Sequence, residues 1–162
     1  MNRPQKSKAR GPRPGSIERV PGLSYGDLDE HLGYVLRRAQ LAGFEAFHRA
    51  TGRSEITPAR YTAMVIVQAN PGLTQSALGA ALGTARSGAT MTADWLEARG
   101  LAQRRGRPED ARAWGLHLTP RGEARLRELR RRVRASDGAF AGRLAPRERV
   151  TLRRLLDKLT EN

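Results

Sequence analysis

The chain has 162 residues, a formal net charge of +14 and no cysteine. Its length fits a single domain with its own core, and the lack of cysteine excludes disulfides, thiolate zinc sites, cysteine nucleophiles and thiol redox sensing. The 30 Lys and Arg residues against 16 Asp and Glu favour a polyanionic partner, such as nucleic acid or an anionic membrane surface, and a solvated basic surface explains them equally well.

The N-terminal segment, residues 1–23, is basic and rich in proline. It contains few residues that could be buried, so we expect a disordered basic arm that adds little to DNA affinity. The segment has no apolar stretch typical of a signal peptide, and no apolar run elsewhere is long enough to span a bilayer. We therefore expect a cytoplasmic, nucleoid-associated bacterial protein without a membrane partner.

The remaining residues, 24–162, are predicted to form one domain that is mainly α-helical. Apolar residues at helical spacing predict a long amphipathic helix over residues 27–50, which Gly52 ends. Thr57 and Pro58 are typical of the N-cap and the first residue of a second helix. The turn residues Asn70-Pro71-Gly72 end that helix.

Residues 73–101 predict two helices joined by a short turn. Thr74 caps the first helix, a turn at residues 82–84 follows, and the second helix runs over about residues 85–98. This pattern is typical of a helix-turn-helix, in which the start of the second helix faces outward and can bond phosphates or base edges. The candidate DNA contacts in this segment are Thr74, Gln75, Ser76, Arg86, Ser87 and Thr90.

Two short strands are predicted at residues 101–106 and 113–118, where Trp114, Leu116 and Leu118 alternate onto one face. The polar, proline-bearing connection over residues 107–112 predicts the tip of a hairpin. A lone hairpin is marginally stable, so we expect it to pack beside the preceding helix as a wing. Residues 57–118 are therefore predicted to form a winged helix-turn-helix. The basic wing residues expected to contact DNA are Arg104, Arg105 and Arg107.

Catalytic and metal-binding motifs are weak in this sequence. Gly83 and Gly88 have the spacing of a phosphate loop, but Ala89 stands where that loop needs lysine. No grouping of acids, serine and histidine suggests an enzyme. The histidines form no pair with metal-ligand spacing, so we expect neither a metal nor a cofactor. The three histidines are His31, His48 and His117.

The sequence resembles the MarR family of bacterial transcriptional regulators over about residues 28–160. The resemblance rests on the segment LEARGL at 96–101, on Pro108-Glu109-Asp110 with Arg112, and on residues 116–122, LHLTPRG. It implies that Arg112 enters the minor groove and that Asp110 braces Arg112 through a salt bridge. It also implies a homodimer, whose two recognition helices would lie ~34 Å apart on a near-palindromic duplex.

Two departures from the family pattern bear on base reading. Ala85 occupies a position where many members have aspartate, so we expect Thr84 to cap the recognition helix one residue earlier. Met91 and its small neighbours replace residues that are commonly larger or more polar. Arg86 and Thr90 are therefore left with most of the base reading.

The terminal helices are predicted to form the dimer interface. Thr119-Pro120 and Pro146 each begin a helix, so that helices cover about residues 120–160. These helices and the helix over residues 27–50 carry leucine stripes, for which burial in an ordinary core is the alternative. The residues assigned to dimerisation are Leu28, Leu32, Leu36, Leu152, Leu155, Leu156 and Leu159.

The resemblance further implies an effector pocket between the dimerisation helices and the winged helix. Arg60 near aromatic residues suits a carboxylate, and residues 32–47 resemble family members that sense aromatic acids or their CoA thioesters. Aromatic and methionine stripes at helical spacing are more often core than pocket, and this alternative stays open. The candidate pocket residues are Phe44, Phe47, His48, Arg60, Tyr61 and Met64.

The sequence thus predicts a mainly α-helical winged helix-turn-helix protein with a small β-hairpin wing and terminal dimerisation helices. We expect a sequence-specific, ligand-responsive repressor of transcription. The alternative is an architectural or weakly specific DNA-binding protein without an effector, which would show little preference between DNA sequences.

Overall fold

The computed structural model describes residues 19–52, 54–107 and 110–161, without the side chains of residues 107 and 110–113. The predicted basic arm lies outside these described residues except for residues 19–23. The chain divides into two compact units, Met1–Ala46 and Phe47–Asn162. No helix among the described residues is long and apolar enough to cross a membrane.

In the described part of the first unit, a short 3₁₀ helix, Gly26–Glu30, is followed by helix α1, Leu32–Ala50, whose last residues belong to the second unit. The single helix predicted over residues 27–50 is therefore wrong at its start, because His31 has an extended backbone and separates the two segments. Arg19 is ion-paired with Asp29 and stacks on Tyr25. These contacts stabilise the 3₁₀ segment. They involve charged and aromatic side chains, so the spacing of apolar residues could not predict them.

The second unit contains the predicted helix-turn-helix: helix α2, Pro58–Ala69, is followed by α3, Gln75–Leu82, and α4, Arg86–Ala98. The predicted caps Thr57 and Thr74 are confirmed, because each hydroxyl accepts a hydrogen bond from an N–H group in the first turn of its helix. Gly83 has a φ of 62°, a left-handed conformation that favours glycine, and it turns the chain between α3 and α4.

The start of α4 differs from the prediction, and the expected cap at Thr84 is wrong. The first backbone hydrogen bonds of the helix are accepted by the carbonyl of Ala85, so Ala85 is the N-cap. Alanine has no side-chain acceptor, and α4 therefore begins without a side-chain cap. The N-terminal end of this helix therefore keeps backbone N–H groups that no side chain caps, and such groups can bind an anion.

The wing consists of strands β1, Ala102–Arg107, and β2, Asp110–Leu118, paired antiparallel. The strands extend further into the predicted polar connection than expected, because a register shift after Gly106 accommodates the extra residues of β2. Leu73 forms a β-bridge with Leu116: the Leu116 N–H donates to the Leu73 carbonyl at 2.9 Å, and the Gly72 N–H donates to the Leu116 carbonyl at 2.9 Å. The segment before α3 thereby ties the hairpin to the helix-turn-helix.

Two helices follow the wing: α5, Pro120–Phe140, and α6, Pro146–Thr160, with a 3₁₀ turn, Ala141–Arg143, between them. The N-terminal half of α5 closes the core of the second unit, whereas α6 has no buried residue. The largest fully buried side chains come from α2, α3, α4, β2 and α5. They are Met64, Val67, Leu78, Leu96, Leu116, Leu126 and Leu129.

Candidate nucleic-acid interface

Helix α4 has one buried face and one exposed face. Ala89, Ala93 and Leu96 are fully buried against the core, so the opposite side of the helix faces solvent. Arg86 and Ser87, both predicted DNA contacts, lie exposed in its first turn. A helix that presents its N-terminal side chains in this way can enter a major groove.

Thr90 is half-buried, and its hydroxyl donates to the Arg86 carbonyl at 3.0 Å. The hydroxyl hydrogen is therefore used within the helix, which leaves Thr90 with an acceptor oxygen and a methyl group for any further contact. The structure places Thr90 beside the exposed face rather than at its centre.

Met91, which is not among the predicted base contacts, is exposed in the structure. The residue is 72% exposed, the largest value among the exposed large apolar residues of the described chain. It follows Ser87 by four residues and lies on the same face of α4. A methyl-bearing side chain at this position suits apolar contact with the methyl group of thymine. The signal was present in the sequence, since Met91 continues the Arg86–Ser87 face by helical spacing.

The predicted contacts at the start of α3 have partly local roles. The Thr74 hydroxyl accepts from the backbone N–H of Ala77 at 3.2 Å and lies 3.2 Å from the Ser76 hydroxyl. The side-chain nitrogen of Gln75 is buried without a hydrogen-bond partner among the described residues. Ser76 is exposed. This helix start therefore offers the exposed Ser76, while Thr74 is occupied as a cap and the Gln75 side-chain nitrogen is buried.

The wing arginines do not share one orientation. Arg105 is exposed, whereas Arg104 is half-buried and directed back to α4. Its guanidinium is ion-paired with Asp94 at 2.6 Å and also with Glu97. The side chains of Arg107, Asp110 and Arg112 lie outside the described part of the structure, so the expected brace between Asp110 and Arg112 stays a prediction.

The candidate effector residues divide into separate groups. The Phe47 ring lies 5.8 Å from that of His48 and 5.7 Å from that of Tyr61, between ring centroids. Phe47 and Met64 are buried, and Met64 belongs to the fully buried core. Phe44 belongs to the first unit and is 38% exposed. The structure thus brings Phe47, His48 and Tyr61 together.

Arg60 takes part in a different contact, one that the sequence did not suggest. Its guanidinium carbon lies 3.9 Å from the centroid of the Trp95 ring, and that of Arg99 lies 4.0 Å from the same centroid. Glu55 holds both cations, through its backbone oxygen to Arg60 at 2.6 Å and its carboxylate to Arg99 at 2.6 Å. Burial lowers the pKa of Arg60, and the charge of Arg99 lowers it further.

A cleft of about 500 Å³ lies beside this cation–π cluster. Its volume is in the range of small-molecule sites, and its walls combine an indole with charged side chains. The hydrogen bond from Arg125 holds the pKa of the Glu128 carboxyl below its usual range. The charged and aromatic lining residues are Glu55, Trp95, Arg99, Arg121, Arg125 and Glu128.

The leucines predicted to form a dimer interface are not used in the core. On α6, Leu152, Leu155 and Leu159 are exposed, and Leu156 is half-buried. In the first unit, Leu28 and Leu32 are exposed, and Leu36 is half-buried.

No group of three or more His, Asp or Glu within the described ranges could hold a metal ion.

Comparison with known proteins places this geometry in context. A family model described as "MarR family" matches residues 54–113. A protein of Thauera aromatica, proposed to regulate transcription of the hcr operon, is 38% identical over 138 residues, which cover 85% of this chain and 83% of that protein.

Solved structures of similar chains agree with this match. The transcriptional repressor CouR bound to a 23-mer DNA duplex is 34% identical, with a TM-score of 0.79 over 86% of this chain and 99% of that chain. CouR bound to p-coumaroyl-CoA is 32% identical in the alignment, with a TM-score of 0.79 and the same coverage.

Proposed function

Because this chain belongs to the MarR family, we propose that it is a dimeric regulator of transcription that binds a specific double-stranded operator and is released from it by a small-molecule effector. The observation that carries the proposal is the exposed face of α4, where Arg86, Ser87 and Met91 stand at the outer helix of a helix-turn-helix. The net charge of +14 favours binding to the phosphate backbone of DNA. As a DNA-bound regulator, the protein is expected on the bacterial nucleoid.

Arg86 is the strongest candidate for direct base reading. A guanidinium at the first turn of a recognition helix can donate two hydrogen bonds to the edge of guanine. Met91, one turn further along, would contact a thymine methyl group. The proposed operator half-site therefore contains a guanine and a thymine at neighbouring positions.

Direct binding tests the proposal. We expect the protein to prefer DNA from the region upstream of its own gene over a scrambled duplex by at least ~10³-fold near physiological salt, measured by fluorescence anisotropy. Equal affinities for all duplexes tested, with the strong salt dependence of phosphate contacts alone, would support the architectural alternative instead.

Replacement of Arg86 separates base reading from phosphate binding. We expect Arg86→Ala to cost about 1–3 kcal/mol on the operator and much less on scrambled DNA, because the lost hydrogen bonds are to a base. Arg105→Ala, at an exposed wing position, should weaken both duplexes alike. If Arg86→Ala also weakens both alike, Arg86 does not read a base.

The effector is proposed to be an aromatic acid or its CoA thioester. Support comes from CouR bound to p-coumaroyl-CoA, from the aromatic group of Phe47, His48 and Tyr61, and from the cleft beside Trp95. The cations around that cleft suit carboxylate or phosphate groups.

A ligand screen checks this assignment. An effector that binds the native state raises the midpoint of thermal unfolding, and it should also reduce operator affinity. In a Trp114→Phe variant, Trp95 is the sole tryptophan, since the chain has two. A fluorescence change on binding would place the ligand near the cleft, whereas binding without such a change would favour the group around Phe47. The effector assignment is wrong if no aromatic acid or thioester shifts the midpoint.

A further inference from the structure

Arg104 is held by helix α4 through both its backbone and its side chain. Its backbone N–H donates to Glu97 Oε1 at 2.8 Å. Its two terminal nitrogens bind separate carboxylates, Nη1 that of Glu97 and Nη2 that of Asp94 at 2.6 Å. A guanidinium used in this way has a fixed orientation, because two acids of one helix hold its two arms.

The hairpin register explains why Arg104 points inward. Successive side chains of a strand lie on opposite faces. Arg104 pairs with Leu116 in the ladder, and Ala102 pairs with Leu118. Ala102 and Leu116 are buried. Arg104 therefore occupies the face that packs on α4, whereas Arg105 occupies the opposite face.

The two carboxylates also need this arginine. Asp94 lies exposed on α4, three residues after Met91 on the proposed DNA-facing stripe. A lone carboxylate there would repel phosphates and reduce affinity. Glu97 is half-buried, so its charge is costly without a partner. Arg104 satisfies both groups and is itself only 29% exposed at its side chain.

From this geometry we propose that Arg104 is a positioning residue that fixes the wing against the recognition helix through Asp94 and Glu97, and that it does not bind DNA phosphates. This inference rests on the proposed function, since it concerns how the two DNA-contacting elements are held. It replaces the expectation that Arg104 is a basic contact equivalent to Arg105. The wing and α4 then meet the duplex as one rigid unit.

The salt dependence of operator binding distinguishes an arginine that contacts a phosphate from one that braces the wing internally. A phosphate contact contributes about 0.9 to the slope of log K against log salt concentration, and an internal brace contributes nothing. We expect Arg104→Ala to lower operator affinity about tenfold or more with an unchanged slope, because charged hydrogen bonds of this kind are strong. Arg105→Ala, the matched control on the adjacent residue, should reduce the slope by about 0.9.

Two further variants keep the test independent of the alanine variant's folding. Glu97→Gln removes a negative charge beside the DNA, yet we expect it to lower operator affinity, because the brace is lost. Arg104→Lys keeps the charge but cannot bind two carboxylates as a fork, so it should behave like Arg104→Ala. A reduced slope in Arg104→Ala, wild-type affinity in Arg104→Lys, or raised affinity in Glu97→Gln would each overturn the proposal.

Hydrogen exchange gives a readout that does not require DNA. Amides of β1 and β2 should lose protection in Glu97→Gln and Arg104→Lys, while amides of the core helices keep theirs. Unchanged protection of the hairpin would overturn the proposal. If the wild-type protein fails to discriminate between duplexes while the hairpin loses protection as expected, the proposed function fails and the bracing role of Arg104 stands.

Discussion

At the scale of single residues, Gly122 shows how closely α5 approaches the backbone of Leu101, the residue directly before β1. A Cβ atom added at Gly122 would overlap the carbonyl oxygen of Leu101 and lie 2.8 Å from its carbonyl carbon. These are backbone atoms, and the Thr119 N–H donates to the same oxygen at 3.1 Å. The position therefore has no room for a side chain.

We accordingly expect Gly122→Ala to lower the free energy of unfolding by about 1–3 kcal/mol or more, as measured by urea denaturation, because the backbone must shift to relieve the overlap. Gly138→Ala is the matched control in the same helix, since a Cβ there meets nothing within 4 Å. That control should be neutral or slightly stabilising, because alanine favours helix over glycine. Equal effects of the two changes would contradict the close approach.

At the scale of elements, Thr119 joins the start of α5 to the end of α4. Its hydroxyl accepts from the Gly122 N–H at 3.0 Å and donates to the Gly100 carbonyl at 2.6 Å. One side chain thus caps a helix and also bonds the loop that precedes β1. This double role goes beyond the helix start that Thr119-Pro120 indicates in the sequence.

Removal of this hydroxyl should loosen both contacts. We expect Thr119→Ala to reduce the free energy of unfolding by about 0.5–2 kcal/mol, the range for loss of an N-cap. In Thr62→Ala, the hydroxyl that is lost donates to the Pro58 carbonyl within its own helix. Thermal unfolding of that control should change little. A Thr119→Ala protein as stable as the control would show that water replaces the cap fully.

At the scale of the whole molecule, α6 leaves an apolar stripe uncovered. Leu152, Leu155 and Leu159 are exposed on a helix without buried residues. Their spacing places them along one face. In water such an exposed apolar stripe favours association with another apolar surface. In a two-fold dimer, the stripe of each subunit would pack against the same stripe of its partner.

The dimer can be tested by placing a charge on that stripe. We expect Leu155→Asp to shift the protein from dimer to monomer in sedimentation measurements and to abolish tight operator binding, because a single recognition helix contacts only one half-site. Arg154→Asp introduces the same carboxylate away from the stripe, at an exposed position. It should leave the dimer intact. A dimeric Leu155→Asp protein would mean that the interface lies elsewhere.

Local features of this protein were determined by the sequence itself. The caps at Thr57, Thr74 and Thr119, the turn at Gly83 and the order of helices and hairpin were all predictable. Each depends on groups within about one helical turn or on the periodicity of apolar residues, which the chain carries without reference to distant contacts. For the same reason the outward face of α4 was predictable from Arg86 and Ser87.

The partners of long charged and aromatic side chains were decided only by the tertiary structure. Arg104 binds Asp94 and Glu97, and Arg60 stacks on Trp95. In the sequence, Arg104 and Arg105 are equivalent neighbours. Which of the two faces α4 depends on strand register, and a shift by one residue would exchange their faces. The net charge shows that basic side chains are abundant, and packing decides which arginines stay available to a partner.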